Sequence, residues 1–211
     1  MKTILFQGDS ITDCQRIRDA KINMPAHLGF GYPNLISGKL LFDHAGEDYQ
    51  CINKGISGNR VVDLYARWKI DALNFKPDII SILIGVNDVW HEASNQNGVE
   101  AERFETIYRM LLEWTKKVLV DVKFVIMEPF CLPSDVVCES FLPEVKLRAA
   151  AAKKVAAEFD AIFLPLQDKF DAATKLAPES YWLADGVHPT AAGHRLIADA
   201  WLEAAKPLLE D

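Results

Sequence analysis

Nowhere in the 211 residues does an apolar run approach the roughly 20 needed to cross a bilayer. No secretory leader is expected in these residues: one basic residue, Lys2, is followed at once by an apolar run that meets Gly8-Asp9-Ser10. Basic stretches are equally scarce. Lys and Arg number 23 against 30 Asp and Glu, for a formal charge of −7. The densest basic pairs, Lys116-Lys117 and Lys153-Lys154, fall inside helical patterns as solvated faces. That balance argues against a nucleic-acid backbone as partner. Cysteine is sparse: Cys14, Cys51, Cys131 and Cys138 show no C-x-x-C spacing. They read as free thiols of a reducing compartment, with a Cys131–Cys138 bridge left open. These absences lead to the expectation of a cytoplasmic protein with no membrane and no nucleic-acid partner. Repeats and low-complexity linkers are lacking too, and the length suits one domain over residues 1–211.

What the chain does contain is an alternation of strands and helices. Five short apolar runs predict buried strands: Thr3–Gln7, Tyr49–Asn53, Asp78–Ile84, Lys123–Met127 and Ala161–Leu164. Between them, Phe104, Ile107, Tyr108, Leu111, Leu112, Val118 and Leu119 mark one helical face. Leu196, Ile197, Ala200, Trp201, Ala204 and Leu208 mark another near the end. Strands apolar on both faces and separated by helices predict a five-stranded parallel sheet in a three-layer α/β/α sandwich. Such sheets bind ligands at the carboxyl ends of their strands, so functional residues are expected to follow the strands.

Polar clusters do follow them. Gly8-Asp9-Ser10-Ile11-Thr12-Asp13 comes after the first strand, Asn53-Lys54-Gly55-Ile56-Ser57-Gly58-Asn59 after the second, and Gly85-Val86-Asn87-Asp88 after the third. Asp185-Gly186-Val187-His188-Pro189 precedes the last helix. Ser10 has two readings: with Asp13 three residues on it is a helix-capping pattern, and at a strand-to-helix turn it is also a candidate nucleophile. A serine needs a base. His27, His44 and His91 lack a fixed acidic partner and read as structural or exposed, while His194, one turn into the last helix, is expected to pack there or face solvent. His188 differs, because Asp185 stands three residues before it on a tight turn: either the carboxylate reaches Nδ1–H and frees Nε2 for the serine, or the two merely make turn hydrogen bonds. Gly58 and Asn87 are either turn residues or, with the Ser10 amide, donors to an oxyanion.

Taken together, these blocks resemble the SGNH hydrolases, the GDSL esterase/lipase superfamily, with Gly-Asp-Ser-Ile standing for the GDSL signature. The resemblance implies a flavodoxin-like fold, Ser10, Asp185 and His188 as catalytic residues, and an oxyanion hole of Ser10, Gly58 and Asn87. It implies neither a metal nor an organic cofactor. Ala66-Arg67-Trp68, Ile84-Gly85-Val86-Asn87-Asp88-Val89-Trp90 and Ala192-Gly193-His194 are similar to intracellular acetylxylan esterases, which form oligomers. An acetylated carbohydrate substrate and a homo-oligomer are therefore expected. Asp9 and Trp90 are the candidate substrate contacts, and Trp68 is a weaker candidate for stacking on a sugar than for packing in the core. A lysophospholipase or acyl-thioesterase would use the same triad, and an inactive sugar-binding module is a third reading. A metallophosphoesterase would need more histidines at the strand ends. A phosphate-binding flavodoxin-like module would not place two aspartates in its first loop. Phe130–Phe141 matches least.

Overall fold

The computed structural model describes residues 1–137 and 139–209; Cys138 lies outside them. In chain order the elements are β1 (Lys2–Gly8), α1 (Ser10–Asp13), α2 (Pro25–Leu28), α3 (Tyr32–Asp43), β2 (Tyr49–Asn53), α4 (Val61–Asp71), β3 (Ile79–Leu83), α5 (Val86–Asn95), α6 (Ala101–Val118), β4 (Lys123–Met127), α7 (Phe141–Glu158), β5 (Ile162–Leu164), α8 (Gln167–Ala173), α9 (Glu179–Trp182) and α10 (Ala191–Leu209). The five strands pair in the order β2-β1-β3-β4-β5, all parallel. This is the flavodoxin-like order, whose direction reverses between β1 and β3. All five predicted strands are present, with ends shifted by at most one residue.

Side-chain alternation along each strand feeds two cores. Ile4, Phe6, Ile79, Val125 and Met127 pack on one face with α3 and α10, including Tyr32, Ile36, Ile197 and Trp201. Leu5, Ile52, Ile80, Ile82 and Ile126 pack on the other with α4, α6 and α7, including Leu64, Phe104, Tyr108 and Val155. A polar residue inside such a strand needs a partner. Ser81 has two: its hydroxyl accepts from Trp201 Nε1 at 2.9 Å and contacts Met127 Sδ at 3.3 Å.

One sequence expectation is corrected here, and one alternative is decided. Val118, assigned to the buried face of its helix, is exposed at the last residue of α6, where the chain already turns away. Trp68 is fully buried, and its indole donates to Thr115 Oγ1 at 2.8 Å, so it is a core residue that no sugar can reach. Cys14, Cys51 and Cys131 are free thiols. Among the described residues no helix is long and apolar enough to cross a membrane.

Candidate active site

The loop after β1 puts Ser10 at the first position of α1, but Ser10 does not cap that helix. Asp9 does: its Oδ1 accepts the Ile11 N–H at 3.0 Å. The Ser10 hydroxyl is thereby left to other work. Its Oγ lies 2.9 Å from His188 Nε2, although 178 residues separate the two. Asp13, the other half of the expected capping pattern, instead accepts from the amide and hydroxyl of Ser57 at 3.0 and 3.2 Å, pinning the loop after β2.

The loop before α10 is built around one carboxylate. Asp185 Oδ1 accepts the backbone amides of Val187 (3.0 Å) and His188 (2.8 Å), and Oδ2 accepts His188 Nδ1 at 2.7 Å. Burial pushes this carboxyl up, but the amide and imidazole of His188 and the Val187 amide outweigh it and bring it below its ordinary range. A charged Oδ2 can only accept, so Nδ1 carries the proton and Nε2 is the bare acceptor for Ser10 Oγ–H. Gly186 at φ +87° turns the loop, and a Cβ there would meet Leu132 O and Ser134 Oγ. Those atoms belong to the Phe130–Phe141 segment. Leu132 N–H donates to Gly186 O at 2.8 Å and Ser134 Oγ to Asp185 O at 2.7 Å, so this segment buttresses the aspartate–histidine loop.

The expected amide donors lie at the ends of β2 and β3. Gly58 sits in a turn closed by Asn59 N–H to Ile56 O at 3.1 Å. Its φ of +81° is what the third position of such a turn demands of a glycine. Asn87, in the first turn of α5, is 8% exposed and donates from Nδ2 to Asn59 O at 3.1 Å. A carbonyl partner settles which end of the amide is NH₂, and the second hydrogen of that NH₂ is not used in this bond.

Asp9 was expected to touch substrate, and this is a further correction: it is 1% exposed, held inward by its cap, with Oδ2 buried and unpartnered. Burial drives its carboxyl up to about 7, against the Ile11 amide and the charge of His188. Asp88, buried and capping α4 through the Val61 amide, is raised to about 7 for the same reason. An unfolded aspartate titrates near 3.8. Between that pH and about 7 the folded chain therefore holds protons the unfolded chain has lost, so stability from these groups is fully present in acid and is lost as pH rises through 7. Asp9→Asn is expected to flatten that decline: between about pH 5 and about pH 8 its Tm should fall less than that of the wild type. Equal slopes in the two proteins would reject the assignment.

Trp90 is half-buried; its ring lies edge-on to Phe141 at 5.7 Å and 6.1 Å from the His188 imidazole. His194, expected to pack or face solvent, is buried. Its Nδ1 accepts the Tyr32 amide at 3.2 Å, its Nε2 faces Cys14 Sγ at 3.4 Å, and burial with the nearby His188 lowers it to about 4. A groove of about 320 Å³ runs beside Asp185, lined by Pro133, Ser134, Val136, Leu183 and Ala184 among others. Among the described residues no three His, Cys, Asp or Glu side chains gather as a metal site.

Asn59, Arg67, Asp88 and Ser134 join this site without having been singled out in the sequence. The first three lie inside motif blocks already noticed, whereas Ser134 carries no local signal.

Comparison with known proteins sets this fold and its chain of hydrogen bonds among the carboxylic ester hydrolases. The chain belongs to the GDSL-like lipase/acylhydrolase family, whose model matches residues 6–196. It is 34% identical over 203 residues to an acetylxylan esterase of Geobacillus stearothermophilus, covering 94% of this chain and 91% of that protein. Among solved structures, one described as a GDSL-like lipase from Parabacteroides merdae superposes with a TM-score of 0.94 at 43% identity, covering 97% of this chain and 95% of the other. An acetylxylan esterase structure from G. stearothermophilus superposes with a TM-score of 0.87 at 33% identity, covering 96% and 93%. Catalytic mutants of that esterase replace a serine, an aspartate and a histidine by alanine.

Proposed function

We propose that the protein is a serine esterase that removes acetyl groups from xylo-oligosaccharides or related sugars through an acyl-enzyme intermediate. The observation that carries this reading is the continuous hydrogen-bonded series Ser10 Oγ, His188 Nε2, His188 Nδ1, Asp185 Oδ2, with links of 2.9 and 2.7 Å. His188 takes the Ser10 proton as Oγ attacks the ester carbonyl. The amides of Ser10 and Gly58 and the side chain of Asn87 receive the oxyanion. Protonated His188, oriented by Asp185, then passes its proton to the departing sugar oxygen. Water, activated by the same imidazole, releases acetate and restores Ser10.

Support for an acetylated sugar comes from the likeness to the acetylxylan esterase over nearly the whole chain. Trp90, half-buried with its ring 6.1 Å from the His188 imidazole, is the aromatic placed to meet a pyranose ring. We extend the proposal to a cytoplasmic homo-oligomer acting on imported oligosaccharide; free thiols at Cys14, Cys51 and Cys131 fit a reducing compartment.

Acyl-chain profiling tests the reading. With p-nitrophenyl esters, kcat/KM is expected to be highest for acetate and to fall at least about tenfold by octanoate, and acetylated xylo-oligosaccharide should release acetate. Preference for octanoate or for acyl thioesters would favour a lipid or thioester substrate instead.

A further inference from the structure

We propose that Arg67 is a positioning residue that holds the oxyanion hole together, an inference that rests on the assignment of Ser10, Gly58 and Asn87 to that hole. Arg67 lies in the middle of α4 with only 13% of its side chain exposed. Nη1 reaches Asp71 Oδ2 at 3.2 Å, an ion pair one turn along the same helix. Its other two nitrogens donate elsewhere. Nε donates to Asn59 Oδ1 at 2.7 Å, and Nη2 to Gly8 O at a longer 3.4 Å.

The contacts to Asn59 and Gly8 fall within two residues of proposed oxyanion donors. Asn59 follows Gly58 directly, so its side chain sets the turn that aims the Gly58 amide. The backbone carbonyl of the same Asn59 accepts from Asn87 Nδ2 at 3.1 Å, which orients the Asn87 amide. Gly8 stands two residues before Ser10, and its carbonyl also accepts the Ile56 amide at 3.1 Å, joining the loops after β1 and β2. One guanidinium thus ties the ends of β1 and β2 directly, and reaches the end of β3 only through the Asn59 carbonyl that holds Asn87. A planar fork with several fixed donors can do this, and the single ammonium of a lysine cannot.

The test compares Arg67→Lys and Asn59→Ala with the wild type, using p-nitrophenyl acetate kinetics and thermal unfolding. Both variants are expected to lose about 10- to 100-fold in kcat with KM changed by less than about twofold, because misplacement of the donors is felt in the transition state. The double variant should lose no more than the worse single one, since both break one link. Folded variants that keep kcat, losses that fall on KM, or losses that multiply in the double variant would each overturn the proposal. If Arg67→Lys fails to fold, Asn59→Ala decides by the same readout. Asn87→Ala, measured alongside, separates the two levels. Unchanged kcat there would sink the oxyanion-hole assignment and this inference with it. A fall there with Arg67→Lys and Asn59→Ala unaffected would sink only the role of Arg67.

Discussion

Ser10→Ala is expected to lower kcat on an acetyl ester by about 10⁵- to 10⁶-fold, the scale seen when a triad nucleophile is removed, while leaving the fold intact. The second half of that expectation follows from the cap. Were Ser10 the N-cap of α1, its removal would cost about 1 kcal/mol and blur the interpretation. Asp9 supplies the cap instead, through the Ile11 amide, and the Ser10 hydroxyl is partnered with His188 Nε2. Loss of that hydroxyl should change stability by no more than about 0.5 kcal/mol, as at other positions free of a structural bond. Residual turnover would come from the oxyanion donors and substrate binding alone. Initial rates and a thermal melt on the same preparation check both parts. A folded variant retaining more than a hundredth of the activity would remove Ser10 from the mechanism.

The ease of placing Ser10 in the sequence and the difficulty of placing Arg67 have one physical cause. Strands buried on both faces read as unbroken apolar runs, so all five could be placed to within a residue, and the sheet topology then said where a ligand must sit. Ser10, Asn87 and His188 were legible because each directly follows or faces a strand end in a short polar block. Trp68 was ambiguous: a large aromatic looks the same in sequence whether it faces sugar or core, and only the bond from its indole to Thr115 decides. Asp9 misled in a related way. An aspartate beside a nucleophile suggests contact with substrate, yet the local turn directs it inward to the Ile11 amide. Arg67 and Ser134 act on residues far away in sequence, Gly8 and Asp185 respectively, and no periodicity records such a contact. Local chemistry is therefore readable from the chain, whereas the supports that hold it in place are products of tertiary packing.

Asp185→Asn is the sharper test of the chemistry, because the structure dictates how the new side chain must sit. Oδ1 of Asp185 receives two backbone N–H groups, from Val187 and His188. An amide NH₂ placed there would face two donors with a donor, so the asparagine must put its carbonyl oxygen at that position. Its NH₂ is then forced into the place of Oδ2, 2.7 Å from His188 Nδ1. Nδ1 must now accept, which moves the imidazole proton to Nε2 and removes the acceptor that Ser10 needs. The ring keeps its position but holds its proton on the wrong nitrogen. A loss of about 10⁴-fold in kcat is expected near neutral pH, as for a triad aspartate changed to asparagine, with KM little altered because no substrate contact is removed. Asp185→Ala should differ in kind: it abandons the two amides as well, loosens the loop that Leu132 and Ser134 hold, and lowers Tm by an amount Asp185→Asn does not. Kinetics and melts on both variants distinguish a misplaced proton from a collapsed loop. If Asp185→Asn retains more than about a tenth of the wild-type kcat, the imidazole is not oriented by this carboxylate and the proposed proton route through His188 fails.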